Sequence, residues 1–88
     1  MPVILRSGGF EVRIYFPPRE HGPAHVHVKR GQTEVIIHLA DGDRIQEVRR
    51  ISDMRHSDLT KAMNLVAAHA EYLLQVWKRL HDEATETE

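Results

Sequence analysis

In three stretches between Phe10 and Leu39, apolar residues keep to every second position: Phe10, Val12, Ile14 and Phe16; Val26 and Val28; Val35, Ile37 and Leu39. From Leu59 onward the spacing changes. Leu59, Met63, Val66, Ala70, Leu73, Trp77 and Leu80 recur at alternating intervals of four and three. A period of two belongs to a strand with one buried face, and a period of about 3.6 to a helix with one buried stripe. A chain that switches once from the first to the second is confined to an α+β arrangement, strands first and helix last. With 88 residues it makes one domain, and a core this small needs most of its apolar side chains.

The turn signals divide the strands. Val3 to Arg6 is predicted as a short strand, ended by Ser7-Gly8-Gly9. Phe10 to Phe16 follows, stopped by Pro17-Pro18, because proline removes a ladder donor. His25 to Arg30, Thr33 to Leu39 and a weaker segment from Arg44 to Ile51 come next; in the last, Ile45, Val48 and Ile51 break period two and predict a bulge or an early exit from the sheet. Connections this short favour antiparallel pairing. Ser57 is the expected N-cap of the helix, with Asp58 complementing its positive end. The expected fold is an antiparallel sheet of roughly 3–4 strands with one long C-terminal helix on one face. It forms a single domain over residues 1–81, followed by an acidic frayed tail over 82–88.

Composition narrows the function classes. The formal net charge is -1, which does not favour a nucleic-acid binder, though binding through a local patch stays open. Residues 1–55 carry nine basic and seven acidic side chains, and Arg44, Arg49, Arg50 and Arg55 form a basic cluster. There is no cysteine and no apolar run long enough for a signal peptide or a membrane span. These features predict a cytoplasmic protein without disulfides.

Chemistry concentrates in Glu20-His21-Gly22-Pro23-Ala24-His25-Val26-His27-Val28. If Val26 and Val28 face the helix, parity sends His25 and His27 to the other side, beside Arg13, Tyr15, Lys29, Glu34 and His38. That face is expected to be open. It can be a wet surface of cross-strand polar pairs, or a site. As a catalytic site, His25 and His27 are general base and acid, Tyr15 positions, and Arg13 and Lys29 clamp phosphate, with His21 and His38 as further binding residues. As a metal site, His25 and His27 are two ligands, since His-x-His on a strand points two imidazoles one way, with His21 the first choice for the third and His38 or Glu34 as alternatives. A divalent metal is then the sole cofactor to consider, and none is required by the rest of the chain. His69, at the edge of the helical stripe, reads as a core-edge residue.

The start Val3-Ile4-Leu5-Arg6 with Gly8-Gly9-Phe10, the histidine block, and His69-Ala70-Glu71-Tyr72-Leu73-Leu74-Gln75-Val76-Trp77 together resemble the domain-of-unknown-function 4160 family of small bacterial proteins. The resemblance spans about residues 2–80. Many members resemble His-x-Pro-Pro-His-Val-His-Val, and this chain departs from that pattern with Ala24 at the second proline. The resemblance implies an α+β domain and a partner, a second small protein of the 2442 family of unknown function, in a two-gene arrangement similar to toxin–antitoxin pairs. It implies no catalytic residue. The expected function is therefore a protein-interaction module of such a pair, with unpaired sheet edges open to strand addition and a homodimer as a further option. The alternatives are a histidine-dependent ribonuclease-type toxin and a small metal-binding protein.

Overall fold

The computed structural model describes residues 3–15 and 22–86, the side chains of 82–86 excepted. Phe16 and His21 lie outside the described residues, and so does the Pro17-Pro18 stop. Five antiparallel strands form one sheet in sequence order: β1 (Val3–Ser7), β2 (Phe10–Arg13), β3 (His25–Arg30), β4 (Thr33–His38) and β5 (Glu47–Ser52). Two helices follow, α1 (His56–Ala68) and α2 (Ala70–Glu86). The architecture is α+β, but with one strand and one helix more than expected.

Local chemistry explains most boundaries. Ser7 pairs with Phe10 around Gly8 and Gly9, whose φ angles of 56° and 85° suit the two-residue turn that matches strand twist. The turn is tied to the neighbouring hairpin, where Arg30 donates to the Gly8 carbonyl at 3.2 Å and lies over the Phe10 ring. The β4–β5 ladder slips between Ile36 and Ile37, which is the expected bulge, and β1–β2 slips between Val3 and Leu5. α1 begins one residue before the expected Ser57 cap. Arg55 occupies the cap position with no side-chain bond, so Ser57 does not cap the helix. Asp58 does lie in the first turn.

The long helix is interrupted at His69. Its backbone N–H bonds back to Val66, its φ and ψ are −120° and 22°, and α2 restarts at Ala70. The apolar stripe runs through the break in phase, and neither glycine nor proline accounts for it. The acidic residues 82–86, expected to fray, fall within α2.

The core takes the predicted face: Phe10, Val12, Ile14, Val26, Val28, Val35, Ile37 and Leu39, covered by Ala62 and Val66 of α1 and Leu73 and Trp77 of α2. Gln46 donates to the Met63 carbonyl at 3.0 Å and ties the chain before β5 to α1. Trp77 is 6% exposed, and its ring lies against His25 of β3, with a centroid separation of 4.8 Å.

A polar sheet face divided between a ring cluster and an ion-paired row

Register builds the second face of the sheet row by row. Arg6 pairs with Glu11, Glu11 with Lys29, and Lys29 with Glu34, so charge alternates across four strands. The next row is Arg13, His27, Ile36 and Arg50, and the third is His25, His38 and Glu47. The parity that placed His25, His27, Arg13, Lys29 and His38 on one side therefore holds. Their openness does not.

His25 is 1% exposed. Val26, next to it and facing the opposite way, is 0% exposed, so both faces of the sheet are covered at the start of β3. The Trp77 ring packs against the His25 ring there. The His25 Nδ1–H donates to the Pro23 carbonyl at 2.9 Å, which satisfies a buried donor. The expectation that His25 is a surface residue fails because α2 carries its indole onto that end of the sheet.

Rings continue in both directions. His25 and His27 stand 5.6 Å apart, and Tyr15 meets His27 edge-on at 4.4 Å. On the other side His81 stacks on Trp77 at 3.7 Å, with its Nδ1 donating to the Trp77 carbonyl at 2.9 Å. His38, paired with His25, is 6.3 Å from it by ring centroid. His38 is half-buried as a residue, yet both its ring nitrogens are shut off from water and have no hydrogen-bond partner among the described residues. Burial lowers its pKa first, and the charges of Arg49, His25 and Arg44 add to that, against an opposing pull from Glu47.

His27 is anchored differently. Its Nδ1 lies 2.9 Å from the Glu34 carboxylate, with the two side chains 12% and 29% exposed. A carboxylate on Nδ1 fixes ring orientation and makes Nε2 the acceptor of the neutral ring, which is the arrangement general-base chemistry uses. Arg13, opposite His27, is committed to Glu11 at 2.6 Å. That bond holds Glu11 below the usual carboxylate range and raises Arg13. A shallow cavity lies one row away, lined by Gly9, Glu11, Arg13, Lys29 and Gly31, and does not reach His27.

Of the predicted site residues, the structure brings together His25, His27, Tyr15 and His38 as a ring cluster, pairs Arg13 with Glu11, and sets Lys29 between Glu11 and Glu34 in register. His21 of the proposed metal triad is outside the described residues, and among those described no group of three could hold a metal. Sequence reasoning left Trp77 and His81 out of this cluster, because no local spacing reports which strand residue a helix side chain from far along the chain will meet. The basic residues Arg44, Arg49, Arg50 and Arg55 are all exposed around β5, with Ile45 72% and Ile51 45% exposed among them. Among the described residues no helix is long and apolar enough to cross a membrane.

Neither a curated protein nor a solved structure matches the chain. Residues 9–78, which include all of this polar face but its outer edge at β1, match the family described as Domain of unknown function (DUF4160), and the chain belongs to that family.

Proposed function

We propose that the protein is an interaction module, one half of a two-protein pair of toxin–antitoxin type, and that it docks its partner on the β5 side. The observation that carries this reading is the exposed Ile45 just before β5, together with Ile51 towards the far end of that strand and the exposed Arg44, Arg49, Arg50 and Arg55 along the same stretch of chain. Exposed aliphatic side chains with arginines close by in the same segment suit a binding surface, whereas a small domain has reason to bury its isoleucines. Strand addition is the less favourable mode. The slip at Ile36 and Ile37 distorts the β5 edge, and bulges with charged residues are what sheets use to discourage a further strand. Docking therefore runs through side chains.

The test is purification of the untagged chain from its native host, parent against Ile45→Asp. The parent is expected to elute with a second small protein, and the variant to lose it while melting within a few degrees of the parent, since an exposed substitution costs about 0.5 kcal/mol or less. A parent that elutes alone, or only with its own copy, contradicts the reading, as does a variant that keeps its partner.

A further inference from the structure

We infer that α2 is held to the sheet by an acid-sensitive latch, with Trp77 as its bolt and His38 as its trigger. This does not depend on the partner-binding reading. Trp77 lies between two imidazoles, His25 of β3 at 4.8 Å and His81 of its own helix at 3.7 Å. The His81 ring is pinned there by its bond to the Trp77 carbonyl. Directly behind His25, on β4, stands His38, its two nitrogens closed off and unpartnered among the described residues.

A buried imidazole with no acceptor tolerates the neutral form and resists the charged one. The groups facing His38 reinforce this. His25 stands on β3, Arg49 on β5 and Arg44 in the preceding turn, and Glu47 on β5 opposes them. From α2 the same cluster receives Trp77 and His81. A neutral His38 therefore belongs to the closed arrangement, and a protonated one to an arrangement that admits water.

The sign follows from linkage. In an opened state His38 binds its proton with the ordinary imidazole pKa of about 6.5, and in the closed state more weakly. The closed state is thus fully favoured above that value and loses ground as pH falls through it and below. α2 is the element free to respond. It is separated from α1 by the irregular residue His69, and besides Trp77 it is tied down by Leu73 in the core, by the partly buried Leu74, Val76 and Leu80 packed against that core, and by an exposed Lys78–Asp41 pair at 3.5 Å. An exposed pair of that kind holds little.

The chain has one tryptophan, so its fluorescence reports the bolt alone. Between about pH 8 and about pH 5, the Trp77 emission is expected to shift to the red and its quenching by acrylamide to rise by about twofold or more, while Val28 and Ile37 amides stay protected from exchange. His38→Phe, which keeps a ring but cannot titrate, is expected to abolish the shift over that range, and His81→Gln to retain it. An unshifted parent, an unchanged transition in His38→Phe, loss of the transition in His81→Gln, or simultaneous loss of strand protection overturns the proposal. Should His38→Phe fail to fold, the His38 ring is titrated by NMR in the parent. Its midpoint must coincide with the emission change, and a midpoint elsewhere overturns the latch.

Discussion

Two positions apart on β3, His25 and His27 leave the strand on the same side and meet different surroundings. His25 sits under an indole and gives its Nδ1–H to a backbone carbonyl. His27 shares a hydrogen bond with Glu34 of the adjacent charged row. Parity was legible from Val26 and Val28, because a small core cannot leave both valines in water. Burial of His25 was not legible, because its cover arrives from Trp77, far along the chain. The His27–Glu34 bond follows from register, which a hairpin turn at Gly31 sets, and Glu34 was visible as a neighbour on that face. Because both members are largely screened from water, the pair should be energetically coupled. A double-mutant cycle of His27→Ala and Glu34→Ala in urea is expected to give a coupling of about 0.5–3 kcal/mol. Additive losses would mean that the bond contributes nothing to the fold.

The strands were legible at the level of elements because each has a local cause. The Gly8-Gly9 turn, the alternation of β2 and β4, and the irregular apolar spacing of β5 are all written in neighbouring residues. Gly8 stands at a φ of 56° with open space around its Cα, so only backbone strain opposes a side chain there. Gly8→Ala is accordingly expected to cost about 1–2 kcal/mol, read from the urea midpoint at unchanged slope. A neutral substitution would mean that the turn has another geometry. The helices were legible as one apolar stripe, and the break at His69 was not, since Ala67, Ala68 and Ala70 around it are all good helix formers. The edges carry the opposite lesson. Irregular spacing announced the bulge in β5, and that bulge moves the proposed binding mode from strand addition to side-chain docking.

For the molecule as a whole, the histidine block is first a joint and only in part a surface. At His27 it contributes to a polar, ion-paired sheet face. At His25 it becomes core, and the indole of α2 closes over it. The proposed partner-binding surface lies on β5 and its approach and the bolt of the latch on α2, and the two meet where Arg44 and Arg49 act on His38. The joint is the claim on which the rest turns, and equilibrium unfolding of His25→Ala, followed by Trp77 emission, tests it most directly. Removing a buried, hydrogen-bonded ring from beneath Trp77 is expected to cost about 2–5 kcal/mol and to shift the native emission to the red. A variant with the parent's urea midpoint and the parent's emission would place His25 on an open face and contradict the account.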